Sequence, residues 1–179
     1  MRVFLAVEFP ESVKEYLFHM QQVVRKISRS GHFTDRDNFH LTLRFIGETG
    51  TEDRKKLKQA IEAAARKREP FPITLQGLGH FPRGSEHIIW IGLQNSNALR
   101  ALYDCLETEL ETYGYPKERN AYTPHITLGR EVALDGNFAE LAHSVSAESM
   151  IVPVSRISLM QSTRTNRRLK YVPLYTKEL

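Results

Sequence analysis

The sequence predicts a mixed α/β domain that uses one β-α-β-α-β unit twice. Three observations predict it. Strand-like and helix-like periodicities alternate in the same order in both halves. The halves are offset by a nearly constant length: 85 residues separate Val3 from Ile88 and His40 from His125, and 84 separate Ile73 from Ile157. The tetrapeptide His40-Leu41-Thr42-Leu43 recurs as His125-Ile126-Thr127-Leu128. The expected organisation is a single domain over residues 1–179, composed of two duplicated lobes at about 1–85 and 86–179. No linker or low-complexity tract separates them.

Each element has a local reason. Val3 to Phe9 is apolar and β-prone, which predicts a first strand. Pro10 suits a helix start, and Val13, Leu17, Met20, Val24 and Ile27 follow at steps of four and three, a helix ending before Gly31. HLTLRFIG (40–47) reads as a strand. Thr51 is placed to cap a helix carrying Leu57, Ile61 and Ala64. Glu52 and Asp53 stand in its first turn and Arg66, Lys67 and Arg68 in its last, matching the helix dipole. PITLQGL (72–78) and HIIWIGL (87–93) read as strands around a Gly/Pro loop. Leu99, Leu102, Leu106, Leu110 and Tyr113 form one helix face, ended by Gly114. HITLGREV (125–132) is a strand, residues 136–144 a weaker helix, and ISLMQS (157–162) and KYVPLY (170–175) the last strands.

Bulk properties exclude several classes. No apolar run approaches the ~20 residues that span a bilayer. The apolar start is cut by Glu8 and Pro10 and lacks a cleavage site, so it reads as a strand and not a signal peptide. Cys105 is the only cysteine, which excludes an internal disulfide and any multi-cysteine metal site. The expected setting is the cytoplasm, and a monomer is expected. A net charge of +4 is compatible with a polyanionic partner and does not require one.

The repeated tetrapeptide carries the chemistry. Side chains alternate faces along a strand, so His40 and Thr42 share one face while Leu41 and Leu43 share the other. His125 and Thr127 stand likewise against Ile126 and Leu128. The aliphatic residues suit a core; two polar faces of this kind suit opposite walls of a cleft. His32-Phe33-Thr34-Asp35 has the same His-x-Thr spacing, but Asp35 breaks the apolar alternation, which makes it a decoy. Two imidazoles without a third ligand make a poor zinc site, and Asp35 and Asp37 near His40 are the only local carboxylates that bear on a metal. No metal or other cofactor is expected. Two histidines on either side of a substrate make an acid–base pair, because imidazole titrates near operating pH. In-line phosphoryl chemistry needs a base behind the attacking group and an acid at the leaving oxygen. Threonine hydroxyls can hold the oxygens between them.

With its two His-x-Thr motifs and the blocks RVFLAVEFP, NFHLTLRFIGE, YTPHITLGR and SLMQSTRTNRRLKYVPLY in order, the chain resembles the 2H phosphoesterases. Among them it is most similar to the RNA 2′,3′-cyclic phosphodiesterases, also called 2′-5′ RNA ligases. The resemblance implies a bilobal α/β fold with two pseudo-twofold-related sheets around a central cleft. It implies metal-independent hydrolysis of an RNA terminal 2′,3′-cyclic phosphate to a 2′-phosphomonoester, with RNA ends or nucleotides as partners. It implies His40 as proton donor, His125 as proton acceptor, and Thr42 and Thr127 as phosphate ligands; spacing alone does not say which histidine is acid. Arg130 is a further phosphate candidate by resemblance, although strict alternation puts it on the opposite face from His125. The alternatives are ATP-independent 2′-5′ ligation at the same site and a non-catalytic binder of phosphorylated RNA.

Other candidates are weaker. Arg44 shares parity with His40 and is expected at the cleft rim. Arg164, Arg167, Arg168 and Lys170 read first as a solvated loop and second as an RNA-backbone contact. Tyr122 or Phe9 is a candidate to stack on a terminal base, though core or rim is the simpler reading for each. His19, His80, His87 and His143 match no motif and are expected to be structural or exposed. Cys105 is expected as a buried small residue in its helix.

Overall fold

A computed structural model describes residues 1–145 and 149–179. The elements run β1 (Arg2–Glu8), α1 (Glu11–Lys26), β2 (Ser28–Phe33), β3 (His40–Glu48), α2 (Thr51–Ala65), β4 (Phe71–Arg83), β5 (Glu86–Leu93), α3 (Asn97–Thr112), β6 (Ile126–Leu134), α4 (Phe138–Ser144), β7 (Met150–Val154), β8 (Arg156–Thr165) and β9 (Arg168–Glu178). Every strand and helix expected from the sequence is present. Among the described residues no helix is long and apolar enough to cross a membrane.

The differences have local causes. Helix α1 buries Val13, Leu17, Met20, Gln21 and Val24 and stops at Lys26, short of Gly31. There the Ser28 hydroxyl donates to the Val24 carbonyl at 2.7 Å and the chain turns into β2. Gly50, not Thr51, precedes α2, and its backbone N–H donates to the Asp53 carboxylate at 3.0 Å. Arg66, Lys67 and Arg68 lie just beyond the end of α2. β4 runs through the expected Gly/Pro loop, and the turn falls at Gly84-Ser85, where Gly84 has φ +63°. β2 and β7 were not expected. Both lie at sheet edges, β2 because it is polar (SRSGHF) and β7 because it is short and contains Pro153.

The strands form two antiparallel sheets, in the orders β3-β1-β8-β9 and β2-β6-β5-β4-β7. At the 85-residue offset, β3-β1-β8 corresponds to β6-β5-β4. The third strand of each unit is exchanged: β4 completes the sheet of β5 and β6, and β8 completes that of β1 and β3. The expected lobes 1–85 and 86–179 therefore do not each own a sheet. We read the matched order as support for the duplication. The outer places are filled by β9 and β7, which are not at equivalent sequence positions.

One continuous apolar cluster holds the two sheets and their helices together, including Leu5, Leu17, Leu41, Leu57, Ile91, Leu106, Leu128 and Leu159. A buried ion pair adds to it. Arg44 Nη1 meets both Glu107 oxygens at 2.7 and 2.6 Å, and Arg44 Nη2 donates to the Pro116 carbonyl at 2.7 Å. This contradicts the expected rim position of Arg44: it is 9% exposed and faces α3. Gln21 is a second buried polar anchor, donating to the carbonyls of Thr34 and Leu128 and so tying α1 to the start of β6.

Candidate active site

β3 and β6 bring the two tetrapeptides to one cleft. Leu41, Leu43, Ile126 and Leu128 are buried in the core. His40, Thr42, His125 and Thr127 line a cavity of about 470 Å³ together with Arg130. The alternation that assigned the faces also explains this: the apolar residues of both strands have one core to enter, which leaves the polar residues facing each other.

Both histidines are anchored in the same way. His40 Nδ1 lies 2.7 Å from the Asn38 carbonyl, and His125 Nδ1 lies 2.7 Å from the Thr123 carbonyl. A carbonyl only accepts, so each Nδ1 carries a proton and each Nε2 is left for the cleft. In the neutral state Nε2 is then a base; with a second proton it is an acid. His40 Nε2 is 2.9 Å from Thr42 Oγ1, while the Nε2 of His125 makes no hydrogen bond among the described residues.

Arg130 reaches the cleft through a bulge. Adjacent residues Ile89 and Trp90 of β5 pair with Gly129 and Thr127, so β6 carries one extra residue at Leu128. The extra residue inverts parity, and Arg130 joins the face of Thr127 despite its odd spacing. Glu131, at φ +52°, stands at a second register shift, between Gly129 and Val132. β3 has the same bulge: Leu5 and Ala6 pair with Arg44 and Thr42, leaving Leu43 extra. There the inversion sends Arg44 inward and turns Phe45 out, 59% exposed, into the cleft lining.

Burial and charge set the protonation of the pair. His40 is lowered to about 4, chiefly by burial, then by the charges of Arg130 and His125, against the upward pull of the Asn38 carbonyl. His125 is also lowered, first by burial and then by Arg130, opposed by the Thr123 carbonyl. The free protein therefore holds two neutral imidazoles at pH 7 beside the Arg130 guanidinium. An anion between them would offset that charge and favour a proton on one ring.

Each histidine also has aromatic neighbours that the sequence did not single out. Phe4 and Tyr171 lie 4.8 and 5.0 Å from the His40 ring, and Phe45 lies 5.9 Å from Phe4. Phe81 meets His125 edge-on at 5.1 Å, and Trp90 is at 5.8 Å. Phe4 and Tyr171 stand on strands that read as uniformly β-prone, so only the pairing of β1 with β3 and of β8 with β9 marks them. Arg2 and Asn38 are further lining residues that the sequence did not single out. Asn38 donates from Nδ2 to the Leu169 carbonyl, and its Oδ1 accepts from the Tyr171 N–H, fixing β9 against the His40 anchor.

The remaining candidates sort by position. The basic run splits on the pleat: Arg164 lines the cleft, while Lys170 and Arg168, opposite Thr163 and Thr165, lie on the other face. Phe9 is buried at 4% exposure and is core. Tyr122 stacks on Tyr103 and donates to the Thr42 carbonyl at 3.0 Å, so it braces the motif instead of offering a platform in the cleft. His32 is exposed and pairs with Glu131 at 3.1 Å, away from the cleft. Its neighbour Thr34 does line the cleft and donates to the Thr127 carbonyl. His80 and His87 hydrogen-bond each other, Nδ1 to Nδ1, at 2.8 Å. Cys105 is half-buried near the Ala64 carbonyl. Asp37 is exposed and near Arg36. Among the described residues no group of three or more His, Cys, Asp or Glu side chains is placed to hold a metal.

Comparison with known proteins agrees with this arrangement. Residues 10–166 match the 2′-5′ RNA ligase superfamily. The chain is 31% identical to an RNA 2′,3′-cyclic phosphodiesterase of Thermotoga maritima, over 98% of this chain and 94% of that one. It is 27% identical to an RNA 2′,3′-cyclic phosphodiesterase of Escherichia coli, over 97% and 93%. The structure of Escherichia coli LigT complexed with 3′-AMP superposes with a TM-score of 0.77 at 26% identity, covering 99% of this chain and 97% of LigT. A Thermus thermophilus structure superposes with a TM-score of 0.80 at 25% identity, covering 100% and 98%.

Proposed function

The chain belongs to the 2′-5′ RNA ligase superfamily, and from that premise we propose that it hydrolyses the 2′,3′-cyclic phosphate at RNA ends to a 2′-phosphomonoester, without a metal, by acid–base catalysis between His40 and His125. The single observation that carries the reading is the matched anchoring of the two rings, each with Nδ1 on a backbone carbonyl at 2.7 Å and Nε2 toward the shared cleft. One chain supplies both histidines and both threonines, which supports a monomeric enzyme. The cytoplasmic setting expected from the sequence belongs to the same proposal.

The cyclic phosphate sits between the two strands, with non-bridging oxygens toward Thr42, Thr127 and the Arg130 guanidinium. Its negative charge offsets the Arg130 charge that adds to burial in lowering both imidazoles, so the ring that acts as acid gains its proton as substrate binds. The ribose lies on the His40 side, against Phe4, Phe45 and Tyr171, and its 3′-oxygen departs with the proton from His40 Nε2. Water attacks in line from the opposite side and gives its proton to His125 Nε2. Each proton transfer contributes roughly 10²–10⁴-fold. The relatives named RNA 2′,3′-cyclic phosphodiesterase support the substrate class.

The test is regiochemical. Fixed histidines serve one leaving oxygen much better than the other, because exchanging them would turn the ribose over. Adenosine 2′,3′-cyclic phosphate and a short RNA ending in a cyclic phosphate should yield the 2′-phosphate, read by phosphorus NMR or chromatography against both isomers. A predominant 3′-phosphate would overturn the assignment of His40 as donor.

A further inference from the structure

The cleft is more cationic than its reaction requires. A 2′,3′-cyclic phosphate is a diester with a single negative charge. The cavity that holds the two histidines is lined by three guanidiniums, those of Arg2, Arg130 and Arg164, and by no carboxylate. Arg130 acts on both histidines. Arg2 and Arg164 have no part in the scheme above.

Their place follows from the pleat. Arg2 lies two residues before Phe4 on β1, so both side chains share the face that looks into the cleft. At about 3.3 Å per residue, Arg2 stands about 7 Å further along the strand than Phe4, whose ring is 4.8 Å from that of His40. Val3 pairs with Gln161, which sets Arg2 beside Ser162; Arg164 follows two residues on, opposite Leu169. Tyr171 pairs with Ser162, and its ring meets that of Phe4 at 4.9 Å. The order along this wall is thus His40, then Phe4 and Tyr171, then Arg2, Ser162 and Arg164. The Tyr171 phenol lies in the field of both ends: burial raises it, while the charges of Arg130 and Arg2 lower it.

Among the described residues this end of the cleft is uncompensated. Arg2 and Arg164 are exposed, and neither makes an ion pair. Glu48, the cross-strand neighbour of Arg2, pairs instead with the Met1 ammonium at 2.8 Å. Two free guanidiniums beside a hydroxyl suit the oxygens of a phosphate. A ribose against Phe4 and Tyr171 turns its 2′,3′ edge to the histidines, and its 5′ substituent then leaves on the side of Arg2.

We propose that Arg2, Ser162 and Arg164 form a second phosphate subsite, which holds the 5′-phosphate of the nucleotide whose cyclic phosphate lies between the histidines. The inference rests on the reading of the cleft given above and names what that cleft selects: a nucleotide phosphorylated on both sides of its ribose, over a nucleoside cyclic phosphate. In RNA this 5′-phosphate is the diester that joins the last nucleotide to the strand. A free 5′-phosphate offers the same oxygens with more charge.

Three substrates test it: adenosine 2′,3′-cyclic phosphate, the same compound with a 5′-phosphate, and the dinucleotide ApA ending in the cyclic phosphate. The 5′-phosphate should raise kcat/KM over the first substrate by about tenfold at low salt, the scale of two exposed charge pairs, and added salt should shrink the gain. Arg2→Gln and Arg164→Gln should each reduce that ratio about threefold. Lys170→Gln removes one charge from the opposite face of the same hairpin and should leave the ratio as it was. A wild-type ratio near one, or equal losses on all three substrates, would overturn the subsite. So would an equal drop with Lys170→Gln, which would show only the field of a basic protein. A gain on the 5′-phosphorylated mononucleotide alone assigns the subsite to free nucleotides; a gain on the dinucleotide that both arginine variants reduce assigns it to the strand. Calorimetry separates the subsite from the reaction. Adenosine 2′,5′-bisphosphate should bind about tenfold more tightly than adenosine 2′-phosphate, and the protein with both arginines replaced should lose the difference. Equal affinities would overturn the subsite whatever the turnover. Absent hydrolysis with the tighter binding intact would remove the reading of the reaction and leave the phosphate subsite standing.

Discussion

The β3 and β6 walls of the cleft carry the same motif, the same carbonyl anchor and the same bulge, yet they present different chemistry. Beyond the bulge, β3 turns out Phe45 where β6 turns out Arg130. The position in between is Arg44 on β3, paired with Glu107 in the interior, and Gly129 on β6. His40 touches its own threonine and is lowered to about 4; His125 is lowered without that contact. Two strands of matching backbone thus present an apolar wall suited to a nucleoside and a cationic wall suited to phosphate. Under the proposed scheme the asymmetry comes from the residues after the motifs and from the contact that His40 alone makes with its threonine.

The largest expected effect breaks the equivalence of the histidines. His40→Ala and His125→Ala should each lower turnover by about 10²–10⁴-fold with unchanged circular dichroism. The double variant should be little worse than either single one, since the rings act as a unit. His32→Ala, in the decoy, should behave as wild type. Retained turnover in either cleft variant would end the acid–base scheme.

Next in size is the inward side of the bulges. Arg44→Ala leaves Glu107 buried without its partner and should cost about 3–5 kcal/mol in urea unfolding. Gly129 has no such partner. A loss under about 1 kcal/mol would show that the pair is not holding β3 against α3.

A smaller effect concerns pH. Both imidazoles are lowered in the free protein, so the singly protonated pair exists mainly below neutral pH. As pH rises through the upper of the two coupled values, that proton is lost and kcat/KM falls. Bound phosphate opposes the lowering, so the profile of kcat should lie at higher pH than that of kcat/KM. Arg130→Gln removes a cation that disfavours imidazolium on both rings, and the descending limb of kcat/KM should then move to higher pH. An unmoved limb would separate Arg130 from the pair.

The smallest effect is none: dialysis against EDTA should leave turnover unchanged. Loss restored by one divalent ion would place the chemistry on a metal and not on the two rings.

The periodic parts of this molecule were legible in the sequence. Helices α1, α2 and α3 follow their apolar stripes, and His40, Thr42, His125 and Thr127 share a cleft because the leucine and isoleucine beside them enter the core. What stayed hidden depends on pairing. Leu43 and Leu128 look like ordinary alternating residues, and only their partners on β1 and β5 show that each is one too many. Alternation alone therefore misplaces Arg44 and Arg130 and gives no reason to mark Phe45, although the family resemblance already names Arg130 for the cleft. Edge strands β2 and β7 bury little and carry no clear period. Phe4 and Tyr171 meet His40 from strands far apart in the chain, a closeness that no local pattern records.

The exchange of β4 and β8 has a consequence during synthesis. β1 lies between β3 and β8, and Val3 pairs with Gln161. At about 5–20 residues per second, the ribosome needs roughly 10–30 s between making the first strand and its last neighbour. For that interval one edge of β1 stays open, including the apolar run Val3 to Val7. The sheet that bears His40 thus closes only once β8 has been made, after the chain that supplies His125.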